Sequence, residues 1–140
     1  MNTTKECERL FSERKLFEKY CTDFKMYSRY GIRFFSGWIT TKLNKYKLRL
    51  LLDKKHPYAA PKLFLVSPKV LYTYDGKSLN SLGVSYRFHT VRDVPSDYIQ
   101  ISYPMIWEPC CTCVKVIIGG IVWINLYEEH LRTGKDFKWL

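Results

Sequence analysis

The chain has 140 residues and a formal charge of +10, with a mass of 16.7 kDa and a sequence pI near 9.4. That length suits one domain able to bury a sizeable core without staples, and a content of 46% hydrophobic and 16% aromatic residues, with no linker, repeat or low-complexity stretch, excludes a fibrous repeat or a largely disordered chain. The positive balance favours an acidic partner, whether nucleic acid, membrane surface or acidic protein, without choosing among them.

The opening MNTTKECERLFSERK is polar and charged and lacks the apolar core of a secretory signal, so a cytoplasmic location is expected. Five cysteines, an odd number without the spacing of a disulfide framework, fit reduced thiols in that compartment. Cys7, Leu10, Phe11, Phe17, Cys21 and Phe24 recur with charges between them, which predicts an amphipathic helix from Thr4 to Tyr20 or a little beyond. From Ile32 the pattern changes to short β-branched and aromatic segments, FFSGWITTKL, YKLRLLLD, PKLFLVSP and KVLYTYDG, separated by turn residues such as Asn44, Pro57, Pro61 and Pro68. These predict a four-stranded antiparallel meander. Tyr46, Leu48, Leu50 and Leu52 alternate with Lys47 and Arg49, so one face looks inward. The other face, with Lys42, Lys45, Lys54, Lys55, Lys62 and Lys69 at strand ends and alternate positions, reads as solvated.

Residues Asp75 to Ile106 show no steady period and carry Asp75-Gly76, Gly83, Pro95 and Pro104, which predicts a long, mostly irregular connection. The run from Trp107 to Trp139 then reads as a helix with Pro109 in its first turn, continuing to Arg132 and closed by Gly134. Its longest apolar stretch, Val114 to Leu126, is interrupted by Lys115 and falls short of the roughly 20 residues a membrane span needs. It is expected to be a core helix, with Trp107, Trp123 and Tyr127 as anchors against the sheet and no membrane partner.

Helix, four strands, irregular segment and helix, with Pro57 and Pro61 before the third strand and Trp107-Glu108-Pro109 opening the last helix, together resemble the ubiquitin-conjugating E2 (UBC) fold of the α+β class. GWITTKLNKYKLRLLL, HPYAAPKLFLVSPKV, YDGKSL and WEP, with a helix ending YEEHLRTGK, are similar to the prokaryotic E2-like proteins of antiphage operons, some of which carry a cyclic-oligonucleotide synthase. The resemblance implies a single domain over residues 1–140, acyl transfer, and partners among an E1-like activating enzyme, a ubiquitin-like protein and the synthase. In that family the segment matching Asp75 to Leu79 precedes the acceptor cysteine. Here Asn80 stands at that position, and an amide is not an acyl acceptor.

Other side chains are candidate nucleophiles. Cys110, Cys111 and Cys113 fall in the expected first turn of the last helix, where unpaired N–H groups and the dipole stabilise a thiolate, or where small buried side chains simply pack. At helical spacing Cys110 and Cys113 share a face and Cys111 does not. Ser81 and Ser78 would form an oxyester if a base such as His89 reached them, and a serine bonding its own turn is the plainer alternative. Asn80 would then serve at most to steady an oxyanion. A zinc set built on the three cysteines needs His89 or His130 as a fourth ligand, and adjacent cysteines crowd a tetrahedron, so neither metal nor cofactor is expected. His56 reads as a turn residue and His130 as a cation at a helix end. Tyr72, Tyr74, Tyr86, Phe88, Tyr98 and Tyr103 interleave with Lys77, Arg87 and Arg92, a composition that stacks single-stranded bases, but no RNA-binding signature accompanies it and a nucleic-acid partner is not the expectation. Two readings remain: acyl transfer through a non-standard nucleophile, or a catalytically silent pseudo-E2 that recruits or regulates its partners by binding.

Overall fold

The computed structural model describes residues 3–94 and 96–137, with side chains from residue 8 onward. The Cys7 side chain, Pro95 and Trp139, all named above, lie outside the described residues. The chain folds as α+β, with helix α1 (Thr3–Tyr20), strands β1 (Lys25–Arg29), β2 (Ile32–Thr40), β3 (Lys45–Leu52) and β4 (Lys62–Ser67), a single 3-10 turn (Asn80–Leu82), short strands β5 (Thr90–Val91) and β6 (Ile99–Ile101), and helix α2 (Cys113–Thr133). One six-stranded sheet results, in the order β1-β2-β3-β4-β6-β5, and every neighbouring pair is antiparallel.

Alternation in β3 is as expected: Tyr46, Leu48, Leu50 and Leu52 are buried while Lys45, Lys47 and Arg49 are not. Their register places Phe35 opposite Leu50 and Gly37 opposite Leu48, so these residues share the inner face. Phe17 of α1 stacks on Phe35 at 4.0 Å between ring centroids. Helix α2 comes so close to the same face that a Cβ on Gly120 would stand 2.9 Å from Leu63 Cδ2 and 3.0 Å from Leu48 Cδ1. A glycine there is what lets an almost wholly apolar helix sink onto the sheet. Trp123 is fully buried, stacked on Tyr127 at 5.8 Å, with its indole N–H donating to Phe88 O at 2.8 Å. Glu128 ties α2 to the β2–β3 corner by accepting from Thr41 Oγ1 and from the Tyr46 hydroxyl. Trp107 is only half-buried, packed at the core margin, and donates its indole N–H to Pro57 O.

Both helices lie on this inner face. The outer face carries Tyr27 stacked on Phe34, Arg49 over Phe34 at 4.9 Å, and Lys47 over Trp38 at 5.7 Å. No described helix covers it, and Trp38 is 45% exposed.

Four details differ from expectation. Strand β1 was not anticipated: its sequence, KMYSR, is mostly exposed and lacks an apolar alternation. It pairs with β2 through a two-residue turn at Tyr30-Gly31, both at positive φ, as a tight hairpin requires. KVLYTYDG is not the fourth strand. It turns back at Asp75-Gly76 and closes on itself, with Tyr72 bridging Ser78 and Leu79 N donating to Leu71 O. Instead, β6 takes the place beside β4, so the long connection supplies two short strands although most of it is irregular. Phe11 is 61% exposed and faces solvent under Lys15, so the buried stripe of α1 runs through Leu10 and Phe17 without it.

Candidate functional site

Helix α2 begins later than the sequence suggests, and its delay organises the neighbourhood of the cysteines. Residues 108–111 form a turn closed by Cys111 N donating to Glu108 O at 2.8 Å, and Thr112 holds an extended N-cap conformation before Cys113. Arg9 of α1 donates to the carbonyls of Pro109 and Cys111, which fixes that turn from outside. The first free N–H of the helix, that of Cys113, donates to both carboxylate oxygens of Glu13 at 3.2 Å. A carboxylate from α1 thus caps α2, where the positive end of the helix favours an anion. Pro109, Cys110 and Cys111 precede the helix, so Cys110 and Cys113 share no helical face.

The three thiols differ accordingly. Cys110 is exposed and Cys111 intermediate; their sulfurs lie 3.9 Å from Glu108 Oε2 and Ile106 O respectively. Cys113 is fully buried, and burial, reinforced by the adjacent Glu13 carboxylate, pushes its thiol far above the ordinary cysteine range. At Cys113 this runs opposite to the helix-start thiolate expected from sequence: desolvation and a neighbouring anion both raise the thiol. Iodoacetamide at neutral pH is therefore expected to modify Cys110 first, Cys111 more slowly, and Cys113 only after unfolding; native labelling of Cys113 at the Cys110 rate, read by peptide mass, would contradict this.

Cys113 is instead one corner of a buried trio. Its Sγ lies 3.9 Å from His56 Nε2, and the same nitrogen lies 3.3 Å from Glu13 Oε2. Glu13 is 1% and His56 7% exposed. Burial alone would raise the Glu13 carboxyl, but hydrogen bonds from His56 and from the Cys113 side chain and N–H, together with the Arg9 charge, hold it below its ordinary value. Both partners meet His56 at one nitrogen, so the imidazole cannot relay a proton from thiol to carboxylate as a nucleophile–base–acid chain does. His56 also lines a cavity of about 270 Å³ with Leu10, Arg33, Leu52, Asp53 and Lys54, and its Nδ1 is buried without a hydrogen-bond partner.

The loop of Asn80 belongs to another neighbourhood. The Asn80 amide is spent on main chain: Oδ1 accepts from Leu71 N at 3.1 Å, and Nδ2 donates to Lys69 O at 2.7 Å and Asp97 O at 3.0 Å. With both amide hydrogens engaged, none remains for an oxyanion. The hollow beside it measures about 20 Å³, room for about one water. Ser81 Oγ donates to Ser78 O at 2.7 Å, the local turn bond. His89 Nε2 lies 3.3 Å from Phe137 O.

Two further expectations change. His130 is 2% exposed; its Nε2 accepts from Tyr74 N at 3.0 Å and its Nδ1 lies 2.7 Å from Lys135 O, so it is an internal tie and not an exposed cation. Phe88, named among the stacking aromatics, is 1% exposed and belongs to the core, whereas Tyr72, Tyr74 and Tyr86 do face solvent.

The Glu13–His56–Cys113 trio was not anticipated. A signal for one member existed: Glu13 sits three residues after Leu10 and four before Phe17, on the apolar stripe of α1. No described helix is long and apolar enough to cross a membrane. No protein-family model matches this chain, no curated protein matches it, and no solved structure matches it.

Proposed function

We propose that this chain is a catalytically silent E2-like module, a pseudo-E2 of a bacterial antiphage conjugation or cyclic-oligonucleotide signalling operon, that recruits a ubiquitin-like protein, an E1-like enzyme or the synthase by non-covalent contact. The UBC likeness is supported by the order of α1, the antiparallel β1–β4 meander, an irregular segment with one 3-10 turn, and α2 packed across the inner face. The observation that carries the silent reading is the Asn80 amide, whose three main-chain bonds occupy the position where the family's acyl acceptor would stand. It acts as a strut joining residues 69–71 to residue 97. The uncovered outer face, with Trp38, Phe34, Lys47 and Arg49, offers aromatic and basic groups to an acidic protein partner.

A second reading, acyl transfer, draws on the exposure of Cys110. The two separate in one experiment: intact-mass spectrometry under non-reducing conditions after mixing the chain with its operon's activating enzyme, ubiquitin-like partner or synthase, and ATP. The expected result is no covalent adduct, while binding persists, weakens with salt and is lost in Lys47→Glu/Arg49→Glu. An adduct released by thiol would transfer the assignment to Cys110 or Cys111, and one that resists thiol but yields to base would transfer it to Ser81 or Ser78.

A further inference from the structure

We propose that Glu13, His56 and Cys113 form a binding site for a divalent transition metal of the zinc class. The proposal does not rest on the E2-like reading. Their ligand atoms all lie within 4.8 Å of one another, and they converge: His56 Nε2 faces both Glu13 Oε2 at 3.3 Å and Cys113 Sγ at 3.9 Å. Tetrahedral zinc, with bonds of about 2.3 Å to sulfur and about 2.0 Å to nitrogen and oxygen, places its ligand atoms roughly 3.3 Å (N to O) and 3.5 Å (N or O to S) apart. Cys113 Sγ stands about 0.4 Å too far from the imidazole for that figure, and its separation from the Glu13 oxygen, within 4.8 Å, must close to roughly 3.5 Å, so side-chain shifts of up to about 1.3 Å complete three corners.

Charge supports the same occupant. A divalent cation with one thiolate, one carboxylate and a neutral imidazole sums to zero, which suits a site whose three residues are all buried. One soft, one intermediate and one hard ligand fit zinc or cobalt(II) and not calcium or magnesium, which take oxygen donors. Binding would displace the Cys113 thiol proton to solvent, and the metal would hold the sulfur as thiolate despite its burial.

The surroundings supply the outer contacts. Glu13 is oriented by the Cys113 N–H and by Arg9 at 3.7 Å. With Nε2 on the metal, the proton of His56 resides on Nδ1, the buried atom without a protein partner. The fourth metal position is left to water. The three ligands come from α1, from the turn after β3 and from the first residue of α2, so the metal would staple three segments that no disulfide joins.

The test is elemental analysis of the full chain purified without chelator, followed by titration of the metal-stripped protein with Zn(II) and Co(II). About one equivalent of bound metal, a Zn(II)-dependent rise in Tm and a thiolate-to-cobalt charge-transfer band are expected. Cys113→Ala should abolish the band and weaken Zn(II) by more than about 100-fold, beyond the 10–100-fold typical of changes in outer contacts, while Cys110→Ser leaves both unchanged. Absence of retained metal together with no response to Zn(II) would overturn the site and leave a buried acid–imidazole pair. So would a cobalt band lost in Cys110→Ser or Cys111→Ser. Should Cys113→Ala fail to fold, the wild-type spectrum and the two serine variants decide the question by themselves.

Discussion

Trp123→Ala is expected to cost about 3–5 kcal/mol, the range for removing a large aromatic from a packed core, and to lower Tm by roughly 10–20 °C for a chain of this size. Trp123 is fully buried among the largest core side chains. It stacks on Tyr127, meets Phe137 edge-on at 5.3 Å, and donates to the carbonyl of Phe88. That hydrogen bond anchors the long connection to α2, since Phe88 lies just before β5. Truncation would leave a cavity and an unpaired buried carbonyl at once. Trp123→Phe separates the two: it keeps most of the apolar volume and loses the N–H, so a cost of about 1–2 kcal/mol is expected. Chemical denaturation of both variants checks the pair, and a near-wild-type midpoint for the alanine variant would remove Trp123 from the centre of the core.

The same region shows why some elements were legible in the sequence and others were not. Period carried the reading where an element buries one face along its length: Tyr46, Leu48, Leu50 and Leu52 in β3, Leu10 and Phe17 in α1, and the apolar run of α2 with its Gly134 cap. Strand β1 has few apolar residues to alternate, and β6 spans only Ile99–Ile101, too short for a period to register. KVLYTYDG misleads for the opposite reason. Its tyrosines and valine look like a strand, yet Tyr72 and Tyr74 are 56% and 59% exposed, and only Leu71 of that segment belongs to the central core.

Site residues were harder for a different reason. Neighbours in sequence drew attention to Cys110, Cys111 and Cys113 as a group, but the fold treats them as an exposed thiol, a half-buried thiol and a core residue. The partners of Cys113 are 57 and 100 residues away, and no local pattern reports so distant a meeting. What the sequence did contain was an acid on an apolar stripe, and burying that acid demands partners from elsewhere in the chain. Asn80 follows the same logic, since an amide that cannot accept an acyl group was visible, while the three carbonyl and amide groups that occupy it come from residues 69, 71 and 97.

Glu13→Ala carries the second large effect, about 3–5 kcal/mol, because removing the carboxylate strands the Cys113 N–H and the His56 ring nitrogen in the interior, at about 1–3 kcal/mol for each unsatisfied group, and takes the ion-pair partner from Arg9. Glu13 is 1% exposed and caps the first N–H of α2, receives His56 Nε2, and lies beside Arg9, which itself holds the turn at Pro109. Glu13→Leu restores apolar volume but gives none of these groups a partner, so it should rescue little. Glu13→Gln retains an acceptor for Cys113 N–H and an approximate shape while removing the charge, and should cost less than either. The expected order of destabilisation is therefore alanine, then leucine, then glutamine, read from denaturation midpoints at neutral pH with chelator present so that metal makes no contribution. An alanine variant within about 0.5 kcal/mol of wild type, the range of ordinary surface changes, would mean that α1 and α2 are held together by their apolar contacts alone and that the carboxylate is a passenger at their junction.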